Sequence, residues 1–354
     1  MLRVRGVTVV AGVVTLGLVL AGCGTKPSSS SSSSTSGFKA CMVTDTGGID
    51  DRSFNASAWQ GMQAAQKDGK ATVSYQQSKS ESDYAPNIAT LESASCKFIV
   101  TVGGLMAQAT TDAANKKSSQ HFAIVDSNGN GTNVQGLQFN TAQAGFLAGY
   151  LAAGYSKTGK VATFGGEKID PVTIYMDGFW EGVQYYNQTK KKNVQVLGWS
   201  EQSQQGSFTG SFTDQTQGQQ IATNFVNQGA DVVFPVAGSS GLGAPAVAQS
   251  TGKAVVIWVD SDGFVSAPQY DSVFLSTAYK NVNDAVQKAV EDASGGTFAA
   301  KDYLGTLTNG GVGLSPFHDF ASKVDTGLQA DLKTVQADII SGKIKITSPA
   351  QPKV

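Results

Sequence analysis

The sequence predicts an α/β protein with doubly wound parallel sheets arranged in two lobes. Short apolar runs of strand length recur along the chain, and stretches with apolar residues at helical spacing lie between them. A strand followed by a helix, repeated many times, is typical of parallel sheets. The 354 residues, 40% of them hydrophobic, suffice for two domains of ordinary size.

The apolar runs after Phe38 define the predicted strands. Helical spacing fills the gaps, as where Phe54, Ala58, Met62 and Ala65 share one face. The ten predicted strands are Ala40–Thr44, Thr72–Tyr75, Phe98–Val102, Phe122–Val125, Val134–Phe139, Val161–Phe164, Val194–Leu197, Val232–Pro235, Val255–Val259 and Val273–Thr277.

The N-terminus predicts export and lipid anchoring. Arg3 and Arg5 precede an apolar run that is too short for a comfortable transmembrane helix, and "LAGC" ends at Cys23. This order predicts a signal peptide over residues 1–22, and "LAGC" resembles a bacterial lipobox whose cysteine is lipidated. The alternative is an ordinary secretory signal with an incidental cysteine. Residues 23–37 are rich in serine and predict a flexible tether.

The balance of charge argues against nucleic acid as a partner. The formal net charge is -1 and the isoelectric point is near 6.1, so the chain has no broad basic field for phosphate backbones or anionic lipid. A ligand site must therefore be found locally.

Cys41 and Cys96 are the cysteines that remain beside Cys23. Each stands near the start of a predicted strand, and these two strands are neighbours in a doubly wound sheet of order 2-1-3. An exported compartment permits a disulfide between them. Two buried free thiols are the alternative.

Polar residues and glycines follow the predicted strands at their carboxyl ends, where open α/β sheets bind ligands. Any one of these aspartates could be a turn or helix-capping residue, but three at equivalent places favour a site. The positions are Asp45, Gly103, Gly104, Asp126, Gly165, Gly166, Gly238 and Asp260.

Seven segments in order resemble the basic membrane protein family, also called the purine nucleoside receptor A family of ABC-transporter substrate-binding lipoproteins. They are "VTDTGGIDDRSFNASAWQGM", "FAIVDSN", "QFNTAQAGFLAGYLAA", "GSFTD", "FPVAGSSGLGA", "VIWVDSD" and "STAYKNVNDAV", which together span most of Phe38 to about Gly342.

The resemblance implies the type I periplasmic-binding-protein fold, in which three crossovers join two α/β lobes that close on a ligand. We expect the N-terminal lobe at residues 38–139 plus 279–305 and the C-terminal lobe at 140–278 plus 306–348. The crossovers then lie near Asn140, Thr277 and Thr306.

The resemblance also implies a nucleoside ligand. Matching positions place Phe54 and Phe212 on the two faces of the base and Asp126 on its polar edge. Asp45 and Asp260 match residues that hold ribose hydroxyls, Gly238 permits close approach of the backbone, and Lys280 pairs with a carboxylate or reaches the sugar. A carboxylate favours bases that present N–H groups, such as guanine or hypoxanthine.

Two features depart from the family pattern. Phe208 lies in an earlier "GSFT" and competes with Phe212 for the stacking role, and Trp258 stands where the family often has glycine, which could narrow the space beneath Asp260. We assign Asp50 and Asp51 mainly to capping a helix that begins near Ser53.

The expected function is therefore that of a monomeric lipoprotein that captures nucleosides and delivers them to an ABC permease and its ATPase, with no cofactor, metal or catalytic residue. One alternative is a surface lipoprotein acting as a nucleoside sensor or adhesin. A less favoured one is a nucleoside hydrolase using Asp45, Asp50 and Asp51. Against an enzyme, neither His121 nor His318 lies beside a candidate nucleophile in the sequence, and no catalytic motif is found.

Overall fold

The computed structural model describes residues 37–353. The predicted signal peptide, Cys23 and the tether up to residue 36 lie outside the described residues. Among residues 37–353, no helix combines the length and the apolar character needed to cross a bilayer.

The strands and α-helices alternate along the chain, as the sequence predicts. The strands are β1 (Lys39–Thr44), β2 (Thr72–Gln76), β3 (Phe98–Val102), β4 (His121–Val125), β5 (Val134–Phe139), β6 (Lys160–Gly165), β7 (Gln195–Leu197), β8 (Trp199–Ser200), β9 (Gln205–Gly206), β10 (Val232–Val236), β11 (Val255–Asp260), β12 (Phe274–Lys280), β13 (Tyr303–Gly305) and β14 (Val312–Leu314). The α-helices are α1 (Phe54–Lys67), α2 (Tyr84–Ser93), α3 (Ala107–Lys116), α4 (Ala142–Tyr155), α5 (Asp170–Lys190), α6 (Gln215–Asn227), α7 (Gly243–Thr251), α8 (Gly263–Ser266), α9 (Val282–Ser294) and α10 (Thr326–Ile340).

The first lobe is built on an all-parallel sheet of order β13-β5-β4-β3-β1-β2. Helices α1 and α9 pack together on one face, where Met62 and Val286 join the core. Helices α2 and α3 cover the other face, where Ile88 and Leu91 are buried. Because helices cover both faces, the inner strands β1, β3, β4 and β5 are buried, whereas the edge strand β2 is more exposed.

The second lobe repeats this plan with a sheet of order β14-β12-β11-β10-β6-β7. Its pairings are parallel except for the edge strand β14, which runs antiparallel to β12. Helices α4 and α5 pack on one face and α6 and α7 on the other. The predicted α/β class with two doubly wound lobes is confirmed.

Four short strands were not predicted. β13 and β14 are three residues each, and the β8–β9 hairpin has two residues per strand. Strands of this length carry too few residues to show a period of two. Their pairing is fixed by the longer strands beside them.

The chain passes between the two sheets three times: between β5 and β6, between β12 and β13, and between β13 and β14. The predicted lobe boundaries at these passages stay a proposal. The last described residues return to the first passage, where the Asn140 Nδ2 donates to Oε1 of Gln351 at 2.9 Å.

The first lobe contains a disulfide. Cys41 lies in β1 and Cys96 directly before β3, and these strands are neighbours. The two cysteines are bonded, with their Cα atoms 5.9 Å apart. The bond closes a loop that contains α1, β2 and α2.

Glycines allow α4 and α5 to pack with their backbones in contact. A Cβ atom on Gly149 would lie 2.0 Å from the Phe179 carbonyl oxygen, and one on Gly182 would lie 2.0 Å from the Phe146 carbonyl oxygen. Gly145 and Gly178 are equally close to the opposite backbone. This contact fixes the layer of helices that supports the second sheet.

We predict that Gly149→Ala lowers the free energy of unfolding by about 1–3 kcal/mol, because the added methyl overpacks the helix contact. At an unhindered helical site the same change would stabilise the protein by about 0.5–1 kcal/mol. Chemical denaturation distinguishes the two cases, because the free energy of unfolding falls if the site is hindered and rises if it is not. A variant more stable than wild type would contradict the close packing.

Candidate functional site

A cavity lies between the carboxyl ends of the two sheets. About 510 Å³ of space within it is not occupied by atoms, open solvent included. Both lobes line it. All seven residues predicted to contact a ligand are in its lining: Asp45, Phe54, Asp126, Phe212, Gly238, Asp260 and Lys280.

Asp45 directly follows β1 and is 6% exposed. Its Oδ1 accepts hydrogen bonds from the Gly47 backbone N–H at 2.9 Å and from Asn55 Nδ2 at 2.8 Å. Gly103, with a φ of 112°, passes so near that a Cβ there would lie 2.5 Å from Asp45 Oδ2. Glycine is therefore required beside this carboxylate, because a side chain would displace it.

Asp51 caps the first turn of α1, as predicted. Its carboxylate accepts from the backbone N–H groups of Ser53 at 3.0 Å, Asn55 at 2.7 Å and Ala56 at 3.1 Å. It also lines the cavity, which the sequence analysis did not predict. The prediction for Asp50 is wrong, since Asp50 is exposed and makes no hydrogen bond to the helix.

Burial changes the acidity of both carboxyl groups. It raises the pKa of Asp45 to about 6, although the hydrogen bonds from Asn55 and Gly47 oppose this shift. It raises the pKa of Asp51 to about 7, against its three backbone hydrogen bonds. Loss of water around the charged form outweighs the hydrogen bonds in each case.

Lys280 connects the two lobes inside the cavity. It ends β12 in the second lobe, and its side chain is 3% exposed. The Nζ atom lies 2.7 Å from Asp126 Oδ2 of the first lobe and 3.5 Å from Asp260 Oδ1. Burial lowers the pKa of Lys280, but the two carboxylates outweigh it and the pKa rises, so the amine is charged.

Asp126 and Asp260 hold equivalent places at the ends of β4 and β11. Each has a φ of 63°, in the left-handed region that aspartate tolerates better than most residues. Asp260 also accepts a hydrogen bond from the Tyr175 hydroxyl at 3.2 Å. Strain of this kind is found at functional sites more than elsewhere.

The two phenylalanines of the cavity come from opposite lobes. Phe54 begins α1, and Lys280 Nζ lies 4.3 Å from the centre of its ring. Phe212 packs against Gly166, where a Cβ would lie 2.4 Å from the ring. Phe208 lies outside the lining and packs edge-on against Trp199 at 5.8 Å. The structure thus places Phe212, and not Phe208, in the same cavity as Phe54.

Trp258 differs from its expected placement. It is fully buried but is not part of the cavity lining, so the prediction that it narrows the ligand space is wrong. Its ring fits against Gly241 and Gly263. Its Nε1 donates to the Arg52 carbonyl oxygen of the other lobe at 3.3 Å.

Besides Asp51, two more polar residues of the lining were missed. Asn55 is 1% exposed, donates to Asp45 and Asp51, and has an Oδ1 without a protein partner among the described residues. Tyr175 lies on α5 and reaches Asp260. Asn55 could have been found from its position beside Phe54, whereas Tyr175 gave no local signal. Within residues 37–353, no group of His, Cys, Asp and Glu is arranged to hold a metal ion.

The chain belongs to the family described as "ABC transporter substrate-binding protein PnrA-like", which it matches over residues 38–349. The description names substrate-binding proteins of ABC transporters. The chain is thus a substrate-binding protein of the ABC-transporter class.

Similar proteins agree with this assignment. The chain is 33% identical to the "ABC transporter nucleoside-binding protein BmpA" of Lactococcus lactis, over 93% of this chain and 95% of the relative. It is 33% identical to a "CD4+ T-cell-stimulating antigen" of Listeria monocytogenes, over 96% and 97%. An ABC-transporter solute-binding protein of Aeropyrum pernix has a similar structure, with a TM-score of 0.78, 25% identity and coverage of 88% and 94%. The type I periplasmic-binding-protein fold is thereby confirmed.

The buried carboxyl groups predict how stability changes with pH. Asp45 and Asp51 have pKa values near 6 and 7 in the folded chain, against 3.8 for an ordinary aspartate. The folded state therefore binds protons that the unfolded state has released, and these groups stabilise the protein less as pH rises through 6 and 7.

We expect Asp45→Asn and Asp51→Asn to reduce the change in unfolding temperature between acidic and neutral pH. The exposed neighbour provides the control, since Asp50→Asn leaves this change as in wild type. Scanning calorimetry at several pH values between acidic and neutral measures the unfolding temperature of each variant and tests this prediction. A wild-type pH profile in the Asp45→Asn, Asp51→Asn double variant would show that other groups cause the dependence.

Proposed function

We propose that the protein captures a purine nucleoside between its lobes and delivers it to a membrane permease. The observation that carries this proposal is the composition of the cavity between the lobes. It combines a phenylalanine from each lobe with three strand-end aspartates and a buried lysine. Such a site suits a ligand with a flat apolar part and a part rich in hydroxyl groups.

The phenylalanines would hold the base. Phe54 and Phe212 offer aromatic faces from opposite lobes, and a base stacked on an aromatic side chain gains about 1–3 kcal/mol. Asp126 gives one carboxylate oxygen to Lys280, which leaves the other to accept from the base. A carboxylate that accepts only selects N–H groups, as on guanine or hypoxanthine.

The remaining polar groups would hold the ribose. Asp45 and Asp260 lie at the ends of β1 and β11, and each can accept from hydroxyl groups. The unpartnered Oδ1 of Asn55 adds an acceptor in the same wall. Gly238, with a φ of 54°, leaves room beside Phe212 for the backbone to approach the ligand.

Relatives support a nucleoside as the substrate class. The Lactococcus lactis relative carries nucleoside binding in its name and aligns with nearly the whole chain. On this basis we propose import as the role, with the permease and its ATPase as partners and a monomer as the working state. The predicted lipid on Cys23 would hold the protein at the extracytoplasmic face of the membrane.

The anchor is tested by one substitution. We expect Cys23→Ser to release the protein from membranes or to block its processing, because the lipid on the cysteine is the attachment. Membrane fractionation with detection of the mature chain measures this. Unchanged membrane association in the variant would contradict the assignment.

The stacking role of Phe54 and Phe212 is tested with Phe208 as the control, because Phe208 lies in the same lobe as Phe212 but outside the cavity. Phe54→Ala and Phe212→Ala should each weaken guanosine binding roughly ten- to a hundredfold, in line with about 1–3 kcal/mol per stacked base. Phe208→Ala removes a ring outside the cavity and should lower the unfolding temperature without this loss. Calorimetric titration compares the three variants, and equal affinity for all of them would exclude the aromatic pair.

Variants of Asp45 and Asp51 distinguish a residue that binds the sugar from one that stabilises the structure. Asp45→Ala should weaken guanosine much more than free guanine, because it removes a partner of the ribose. Asp51→Ala should reduce the unfolding temperature more than the affinity, since Asp51 caps α1. Loss of binding in a well-folded Asp51→Ala protein, with Phe54→Ala unaffected, would overturn this division.

A further inference from the structure

The walls of the cavity must separate before a ligand can enter. Asp45, Asp260, Lys280 and Asn55 are all less than 9% exposed, and they come from both lobes. Ligand exchange at such a site requires the lobes to move apart. Every bond that joins one lobe to the other therefore opposes release, including bonds that do not touch the ligand.

In the part of the chain that the structure describes, two side-chain hydrogen bonds cross between the lobes outside the cavity. Trp258 in β11 donates its indole N–H to the Arg52 carbonyl oxygen at 3.3 Å. Ser261, just after β11, donates its hydroxyl to the Ser53 carbonyl oxygen at 2.9 Å. Neither donor lines the cavity.

The two acceptors lie in the segment that carries Phe54. Arg52 and Ser53 directly precede Phe54 in the chain, and Arg52 has a φ of 60°. The position of these two carbonyl groups is therefore tied to the position of the Phe54 ring. When Trp258 and Ser261 bind them, the ring is held at a fixed distance from the second lobe.

The Trp258 donor is itself rigidly placed. Trp258 is 0% exposed and packs against Phe274, with ring centres 5.6 Å apart. A Cβ on Gly263 would lie 2.9 Å from its side chain, and one on Gly241 would lie 3.4 Å from its ring. The indole cannot turn away, so its N–H loses the carbonyl partner only when Arg52 moves.

We propose that Trp258 and Ser261 form a latch that stabilises the closed arrangement of the lobes and slows ligand release. The latch, defined as these two donors with the carbonyl groups of Arg52 and Ser53, acts on affinity through Phe54 rather than through contact with the ligand. The nucleoside part of the test rests on the proposed function.

The latch is tested by removing the donors while the surrounding structure is kept. Trp258→Phe keeps a buried aromatic ring and loses the N–H, and Ser261→Ala loses the hydroxyl. One net hydrogen bond corresponds to roughly a two- to tenfold change in an equilibrium. Each variant should release guanosine about two- to tenfold faster in stopped-flow displacement, with little change in association rate.

Trp199→Phe is the matched control. Trp199 is also a buried indole, 3% exposed, but it donates to Asp177 of its own lobe at 2.9 Å. Its variant should lower the unfolding temperature and leave the release rate unchanged. If Trp258 acts as part of a latch, Trp258→Phe speeds ligand release and Trp199→Phe does not. If both tryptophans only support packing, the two variants have the same effect on the release rate.

Small-angle scattering tests the latch without a nucleoside. The Trp258→Phe, Ser261→Ala double variant should populate more open forms and show a larger radius of gyration than wild type, while Trp199→Phe matches wild type. If wild type binds no nucleoside, the proposed function fails and scattering alone decides the latch. If wild type binds guanosine and both variants retain its release rate and radius of gyration, the latch is wrong.

Discussion

The buried ammonium group of Lys280 is the constraint on which the rest of the site depends. A charge so far from water is costly unless carboxylates surround it, and here Asp126 and Asp260 do so from different lobes. The ends of β4, β11 and β12 must therefore meet at one point. This meeting brings the carboxyl ends of the two sheets together and places the Lys280 ammonium beside the Phe54 ring. The cavity is a consequence of how one cation is neutralised.

The cavity is lined by more carboxylates than cations, and the buried carboxylates without a cation lower the stability of the folded protein. Among residues 37–353, Asp45 and Asp51 have no cationic partner, and burial shifts both towards the protonated form. Backbone N–H groups at the start of α1 offset part of the cost for Asp51, and Asn55 links the two groups. Such an arrangement is retained where acceptors facing a ligand are useful, because packing alone would favour apolar residues.

The sequence predicted the features that depend on neighbours along the chain. Alternating apolar runs gave the long strands, and the rule that ligands bind at the carboxyl ends of strands located Asp45, Asp126 and Asp260. The resemblance to the family identified Phe54 and Phe212 as the residues expected to stack on the base. What it missed depends on contacts between distant segments: the bond from Trp258 to Arg52 joins residues 206 positions apart, and Tyr175 reaches Asp260 from the middle of a helix. No local pattern encodes such pairs.

The central claim is that one cavity holds a base and a sugar together, each lobe contributing to both. Calorimetric titration of the wild-type protein with guanosine, guanine and ribose tests it most directly. Guanosine is predicted to bind far more tightly than either fragment, because it contacts the two phenylalanines and the sugar-binding aspartates at the same time. Ribose binding as tightly as guanosine, or no heat with guanosine, would contradict it.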